Sequence, residues 1–338
     1  MSSFRTDVQS NALTRTELVP LHSSAKKDRA SRTESEREAC SGQRSHLPVT
    51  FSNEAIHLAE MHFGPAGYPA DTRGSPRRAF QMIREAGLDA MEYAAVYGLR
   101  ISEERAAALG ALADEYGITM SMHAAYYISL ASKSDEIRNR SKERLVAGLI
   151  FAPLMRVKRV VFHAGGYCGL TPEDAYKVVR NALKEIGTTV LRRGKGALLA
   201  PETAGKLGAF GSVEELVRLC AEVDGLIPTI DWAHLHARTQ GQMDNKDNYL
   251  RVLDTFEREL GNRFVHNMHF HVSGIEYSQA GEKAHRPLGQ KWGPDILPLL
   301  QIVREVGYRP TFISETPNPI HGALYTKLLL DELEKSTE

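Results

Sequence analysis

The chain has 338 residues, of which 42% are hydrophobic, and its 42 Lys and Arg residues balance 42 Asp and Glu residues. This content suffices for one large α/β domain or two smaller ones, and the balanced charge gives no overall attraction to a polyanion. The three cysteines are far apart in sequence, without a CxxC pair, which argues against a disulfide framework and favours a reducing, cytoplasmic compartment. No apolar run approaches the ~18 residues that a membrane span requires, so we expect no membrane partner.

Residues 1–50 differ in composition from the rest of the chain. The stretch "SSAKKDRASRTESEREACSGQRS" is polar and has no apolar period. Such a segment cannot bury enough surface to offset its ordering entropy. We therefore predict a disordered polar tail over residues 1–50 and a catalytic domain over residues 51–338. A transit peptide and an over-long choice of start codon are the alternatives, and acidic residues within the stretch argue against the transit peptide.

After residue 50, short apolar stretches alternate with helix-like stretches. Several of the helix-like stretches open with Ser or Thr and end in Gly, as capped helices do. Eight strands alternating with helices predict a (β/α)8 TIM barrel. A doubly wound open sheet is the alternative, but no GxGxxG follows the first strand. The apolar stretches are "AIHLAEM", "DAMEYAAV", "ITMSMHA", "RVVFHAG", "GALLAPET", "IPTIDWAH", "VHNMHFHVS" and "PTFISET".

Imidazoles and carboxylates follow the predicted strands at the ends where TIM-barrel enzymes place their chemistry. One histidine at a strand end is usually structural, but many ionisable groups buried at one rim require a compensating charge. Metal ions supply that charge, and mixed His, Asp and Glu ligation suits zinc, manganese or iron. The candidate metal ligands are His123, His163, Glu202, Asp231, His234, His269, His271, Glu282, His285 and Glu315.

Five segments of the chain resemble endonuclease IV, the metal-dependent apurinic/apyrimidinic endonuclease family. The similarity covers roughly residues 54–335 and implies a TIM-barrel hydrolase that cleaves the phosphodiester 5′ to an abasic site in damaged duplex DNA. It also implies three zinc ions, with manganese as a possible substitute, and we expect a monomer. The segments are "HAAYYISLAS", "VVFHAGG", "PETAGKLGAFGS", "TIDWAHLHA" and "ISETP".

The resemblance also implies a role for each candidate ligand. Glu202 is the catalytic residue that bridges two ions and orients water, and Tyr126 contacts the phosphate. The implied groups are His123 and His163 on the first zinc, Asp231, a strand-seven histidine and Glu315 on the second, and His234 and His285 on the third.

Two positions depart from the family pattern. Lys283 occupies the place of the usual Asp in an Asp-x-His pair, so Glu282 becomes the nearest carboxylate for the third metal. Strand seven carries His269 and His271, which share one strand face because they are two residues apart. His271 is nearer the barrel mouth, which favours it as the ligand and His269 as a deeper, hydrogen-bonded neighbour.

Contacts to DNA must come from basic loops, because the net charge is balanced. The candidates are Arg73, Arg77, Arg78, Lys206, Arg238, Lys283 and Arg286, with Tyr68 or Phe210 for stacking. The alternative function is a sugar isomerase or epimerase on the same type of barrel, built around one divalent metal. Its ligands would be Glu202, Asp231, His271 and Glu315. The remaining imidazoles favour the nuclease.

Overall fold

The computed structural model of the protein describes residues 60–72, 74–191, 197–289 and 291–335. The predicted tail over residues 1–50 lies outside the described residues, as does most of the first predicted strand, "AIHLAEM". The first strand of the structure begins directly after that stretch, at His62.

Strands in the described residues form a closed parallel barrel. Two four-stranded parallel sheets have the orders β1-β10-β7-β6 and β2-β3-β4-β5, and isolated parallel bridges from Ala66 to Glu92 and from Glu202 to Thr229 join them. The predicted (β/α)8 TIM barrel is therefore confirmed. β8 and β9 form an antiparallel hairpin where the sequence indicated only a loop. The strands are β1 (His62–Pro65), β2 (Ala90–Ala94), β3 (Thr119–His123), β4 (Val157–Phe162), β5 (Leu198–Pro201), β6 (Ile230–Asp231), β7 (His269–Val272), β8 (Gly274–Ser278), β9 (Gly281–Arg286) and β10 (Thr311–Ser314).

Helices cover the outside of the barrel, and their ends follow local capping chemistry. Gly117 and Gly307 end two of them in the left-handed conformation, and serine side chains cap four N-termini, at Ser75, Ser102, Ser134 and Ser212. None of the described helices combines the length and apolarity needed to cross a membrane. The helices are α1 (Pro76–Glu85), α2 (Glu103–Tyr116), α3 (Asp135–Phe151), α4 (Pro172–Leu191), α5 (Val213–Glu222), α6 (Trp232–Arg238), α7 (Lys246–Leu260), α8 (Asn262–Val265), α9 (Leu297–Val306) and α10 (Pro319–Lys335).

Strand β7 shows how the alternation of side chains separates core from site. Phe270 points outward and is fully buried, with its ring 5.6 Å from Phe312 and 5.4 Å from Trp232. Truncating such a ring to alanine costs about 3–5 kcal/mol. His269 and His271, on either side of it, point into the barrel. The apolar core therefore lies between strands and helices, and the interior of the barrel is left for polar chemistry.

A glycine fixes the seam between β1 and β2. A Cβ atom on Gly64 would lie 1.8 Å from the carbonyl oxygen of Ala90, which no side chain can tolerate. The close approach places the end of β1 beside Glu92, the central residue of β2, whose side chain enters the interior of the barrel. The glycine in "HFGP" is thus required by barrel closure.

Candidate metal centre

Glu202, directly after β5, lies at the centre of the cluster and is fully buried. Its Oε2 atom lies 3.1 Å from His123 Nε2 and 3.5 Å from His163 Nε2, and its Oε1 atom lies 3.2 Å from His271 Nδ1. Burial alone would raise the pKa of Glu202, but the imidazoles of His163 and His271 and hydrogen bonds from His123 hold that pKa well below its usual range. The two oxygens of one carboxylate thus face two different groups of imidazoles, as a carboxylate bridging two cations would.

A second group lies on the Oε1 side of Glu202. Asp231 ends β6 and caps α6, since its Oδ1 atom accepts a hydrogen bond from the backbone N–H of His234 at 2.6 Å. Its Oδ2 atom is buried without a hydrogen-bond partner among the described residues. His271 Nδ1 lies 3.3 Å from Glu315 Oε1. Burying a bare carboxylate oxygen is costly, so this donor set fits a bound cation better than an empty core.

A pair of imidazoles forms a third group. The Nε2 atoms of His234 and His285 lie 3.2 Å apart, and Glu282 Oε2 lies 3.5 Å from His234 Nε2. Two nitrogens bound to one tetrahedral zinc at about 2.0–2.1 Å would lie about 3.4 Å apart, so the spacing fits a shared ion. Glu282 approaches over Gly205, where a Cβ atom would lie 2.7 Å from that of Glu282. The structure thus brings Glu282 to the imidazole pair and leaves Lys283 exposed.

Backbone carbonyls orient three of the imidazoles. In each ring Nδ1 lies within hydrogen-bonding distance of a carbonyl oxygen. With a cation bound, Nδ1–H would donate to that carbonyl and Nε2 would be the ligand atom, since Nε2 faces the cluster. The Nδ1 to oxygen distances are 2.9 Å from His123 to Ala124, 3.0 Å from His234 to Thr203 and 3.0 Å from His285 to Glu315.

Glu92 lies one layer deeper in the barrel, and the sequence analysis did not select it. It is fully buried, accepts a hydrogen bond from Ser121 at 2.7 Å and another from His269 Nε2 at 3.1 Å, and its Oε1 atom lies 3.2 Å from His271 Nε2. His271 therefore has Glu202 and Glu315 at one nitrogen and Glu92 at the other. His269 contacts Glu92 rather than Glu202, and its ligand atom lies within 4.8 Å of those of Glu92 and His271. Burial, together with the charge of Arg159, lowers the pKa of His269 to about 3, so its ring is neutral.

Two cavities flank the cluster on either side of Tyr126, whose side chain is 64% exposed. One has a volume of about 290 Å³ and is lined by His123, His285 and Glu315. The other has a volume of about 770 Å³ and is lined by His163, Glu282 and the glycine-rich loops that follow β4 and β5. The larger volume lies in the range of small-molecule and nucleotide sites.

Most cationic side chains expected to contact DNA are engaged elsewhere. Arg77 is not brought to the cluster, because its guanidinium forms an ion pair with Glu115 at the end of α2. Arg286 pairs with Glu276 on the β8–β9 hairpin. Arg78 pairs with Glu85, Lys283 lies 3.9 Å from Glu276, and Arg238 donates to backbone carbonyls. Arg73 is outside the described residues. Lys206, which lines the larger cavity, has no ion-pair partner in the part of the chain that the structure describes.

The two aromatic residues expected to stack on DNA are placed inside the fold. Phe210 is fully buried against Tyr167 and Tyr176, and Tyr68 is half-buried against Tyr93. The three most exposed tyrosines among the described residues, Tyr97, Tyr126 and Tyr127, lie instead on the loops that follow β2 and β3. The adjacent tyrosines that follow His123 in sequence are a signal that could have identified this surface.

Comparison with known sequences identifies the family. The chain matches the family described as Xylose isomerase-like TIM barrel over residues 80–335, and it belongs to that family. It is 30% identical over 275 residues to an uncharacterized protein, MJ0133, of Methanocaldococcus jannaschii, covering 80% of this chain and 97% of that one. It is 26% identical to a probable endonuclease 4 of Chloroflexus aggregans, covering 64% of this chain and 78% of that one. The resemblance to the endonuclease IV-like group is confirmed at this level.

Two solved structures show how widely the fold is shared. Endonuclease IV from Thermus thermophilus superposes with a TM-score of 0.60 at 22% identity, covering 80% of this chain and 99% of that one. A D-tagatose 3-epimerase-like protein superposes with a TM-score of 0.62 at 20% identity, covering 81% of this chain and 97% of that one. At these identities the superpositions establish the fold alone, so the reaction must be argued from the side chains.

Proposed function

We propose that the protein is a DNA-repair phosphodiesterase that holds three zinc ions and incises duplex DNA on the 5′ side of an abasic site. One observation carries the proposal: the imidazoles of His234 and His285 face each other with their Nε2 atoms 3.2 Å apart, beside Glu282. A sugar isomerase with a single metal needs the carboxylates and His271, but it has no use for this additional pair. The endonuclease relatives point to the same reaction class.

Three ligand groups would hold the ions. The first is His123, His163 and Glu202, and the second is Glu202, Asp231, His271 and Glu315. The third is the imidazole pair of His234 and His285, whose ligand atoms cluster with those of Asp231 and Glu315 and which has Glu282 beside it. When bound, the ions supply Lewis-acid charge to a phosphodiester and make water a nucleophile at neutral pH. Manganese suits the carboxylate-rich second group as well as zinc does.

The protein's own side chains would bind and orient the substrate. Glu202 fixes the spacing of the two groups that it faces and accepts a hydrogen bond from water. Tyr126 lies between the two cavities, 6.2 Å from the ring of His123, with its hydroxyl available to a phosphate oxygen. Lys206 supplies a positive charge on the wall of the larger cavity, which would receive the sugar at the lesion.

A specific observation favours the second candidate, a metal-dependent sugar isomerase or epimerase. Among the described residues, most rim cations expected to contact phosphates are already paired, which leaves Lys206 and a mostly apolar, glycine-rich cavity. The epimerase-like structure has the same fold. The ligand group of Glu202, Asp231, His271 and Glu315 is sufficient for that chemistry.

An incision assay on duplex DNA with one abasic site separates the two functions. We expect a nick on the 5′ side of the lesion with a 3′ hydroxyl, lost after prolonged chelation and restored by zinc or manganese. Of the described cations that the sequence indicated as DNA contacts, Lys206 is the one without a partner, and Arg73 is a further candidate. The slope of log binding constant against log salt should therefore be about −1 to −2. A ketose–aldose interconversion without incision would establish the isomerase instead.

Glu202→Gln tests the bridging carboxylate directly. Removing the charge should lower incision by about a thousandfold or more, as expected for loss of a metal-organising group, while binding to abasic DNA stays measurable. Glu276→Gln is the matched control, because this carboxylate lies on the same rim but faces Arg286 and Lys283. Equal losses in the two variants would show that the rim, rather than the proposed centre, limits activity.

A further inference from the structure

A second cavity lies at the opposite end of the barrel, where the strands begin. This N-terminal cavity has a volume of about 270 Å³, and the first residues of β1, β3, β7 and β10 line it. Three cationic side chains line it as well: Lys158, Arg159 and Arg309. Among the described residues none of the three forms an ion pair. Glu60 is the one carboxylate in the described lining, and it is exposed.

Arg159 makes this cavity a built site rather than a surface depression. Its side chain enters the barrel from β4, and the residue is only 7% exposed. Within the described chain its guanidinium donates one hydrogen bond, from Nη1 to the carbonyl oxygen of Asn267 at 2.7 Å. A guanidinium carries five N–H donors, so most of its hydrogen-bonding capacity remains for a ligand in the cavity that it lines. Burial lowers the pKa of Arg159 to about 10, which leaves the group charged at neutral pH.

The buried carboxylate in this region, Glu92, attracts Arg159 through its charge but makes no direct contact with it. Glu92 accepts hydrogen bonds from Ser121 and His269 and faces His271, and it forms no ion pair with the guanidinium. A charge taken out of water without a hydrogen-bonded counter-ion costs several kcal/mol. A small anion in the cavity would offset that cost.

We propose that the N-terminal cavity binds a small oxyanion of the phosphate class, either inorganic phosphate or a compact phosphomonoester. Two guanidinium groups and an ammonium group supply the positive charge that a phosphoryl group requires, and planar guanidinium forks bind its oxygens in pairs. The hydroxyls of Thr119 and Thr311 and the imidazole of His266 add donors on the wall. His62 is engaged with Asp89 at 2.7 Å and contributes less. The inference is independent of the reaction proposed for the metal centre.

The test is phosphate binding to the full chain in its metal-loaded form, measured by calorimetry at constant ionic strength. The double variant Lys158→Gln/Arg309→Gln changes cationic side chains that line the cavity, and neither is fully buried, so the fold should persist. We expect it to bind phosphate about tenfold or more weakly than the wild type. The metal centre would bind phosphate equally in the wild type and in the double variant. The difference in phosphate affinity between these two proteins therefore reports on the N-terminal cavity alone.

Lys133→Gln/Arg100→Gln is the matched control, because it removes two positive charges from exposed loops after β2 and β3, at the other end of the barrel. It should bind phosphate like the wild type. Arg159→Met should abolish phosphate binding at the cavity. If the Arg159→Met protein does not fold, Lys158→Gln/Arg309→Gln still tests the proposal. Glycerol 3-phosphate binding more tightly than phosphate would identify a phosphomonoester ligand, and the reverse order would identify free phosphate.

Two results would overturn the proposal. One is the absence of any phosphate response from the wild type, as would follow if an acidic side chain of the protein already fills the cavity. The other is an equal dissociation constant for phosphate in the wild type and in Lys158→Gln/Arg309→Gln.

Discussion

At the C-terminal ends of its strands the barrel interior collects carboxylates and imidazoles, whereas the cavity at the N-terminal ends is lined by guanidinium and ammonium groups. The same strands supply both. β7 carries His269 at the deeper level and His271 at the cluster. On β4, Arg159 faces inward near the start of the strand, and His163, directly after the strand ends, lies on the same face. Because side chains two apart share a face, one strand can serve two chemically opposite sites.

The layer between the two ends explains how they coexist. Glu92, Ser121 and His269 form a hydrogen-bonded set that lies beneath the carboxylate cluster and above Arg159. His271 contacts the upper side of this layer through Glu92. The difference between the ends teaches that each would require its own counter-ions: cations above, where several carboxylates converge, and an anion below. The family resemblance refers to the upper end alone.

The largest expected effect, and the strongest test of the comparison between the two ends, is the loss of metal and activity on substitution in β7. His271→Ala should remove metal and at least about a hundredfold of activity, since its Nδ1 atom faces two carboxylates of the cluster. His269→Ala should keep most of the bound metal, because that imidazole contacts Glu92 instead. Elemental analysis and incision rates of both purified variants provide the measurement.

The pair of variants also provides its own control, since both remove one imidazole from the same face of the same strand. His269→Ala should still cost about 1–3 kcal/mol of stability, because Glu92 loses a buried hydrogen bond. Greater metal loss from His269→Ala than from His271→Ala would show that the metal centre extends into the middle layer.

An intermediate effect is expected on thermal stability. Chelation should lower the unfolding temperature by about 5 °C or more, because ions bound only by the folded chain stabilise it and their removal leaves convergent carboxylates unneutralised. Inorganic phosphate should still raise the unfolding temperature of the chelated protein, if the two ends are independent. Calorimetric scans with and without each ligand test this, and a phosphate effect that disappears with the metal would place both at one end.

Much of the fold and part of the site could be predicted from the sequence. Alternation of apolar and helical stretches predicted the barrel, and parallel strands place their ends at one rim, which brought His123, Glu202 and Glu315 together. Glu282 shows the limit: the sequence indicated this carboxylate, but its distance from the imidazoles depends on the close approach of its loop to Gly205, which strand alternation does not predict.

Two buried charged residues were missed because they lie within strands rather than at strand ends. Glu92 was missed because it stands in mid-strand, although the small residues two positions away on either side indicated an inward face with room for a carboxylate. Arg159 lies four residues before His163, on the same strand face, so the alternation of side chains could have predicted that Arg159 points into the barrel. The pairing of Arg77 with Glu115 depends on helix packing, which a loop-based interpretation of the rim could not predict.

The smallest effect should come from Gly205→Ala, which tests only the part of the upper end beside Glu282. An added methyl group would lie 2.7 Å from Glu282 Cβ and 3.1 Å from His234 Cδ2, so the carboxylate must move away from the imidazole pair. We expect one ion to bind more weakly, by about tenfold, and incision to fall by a similar factor, because outer groups of a metal site typically contribute this much. Metal titration should show the other ions unchanged, and phosphate binding at the N-terminal cavity should be unaffected. Gly208→Ala is the matched control in the same loop, where a Cβ atom would meet no atom within 4 Å. Equal behaviour of the two variants would exclude Glu282 from the metal centre and leave the imidazole pair without its carboxylate.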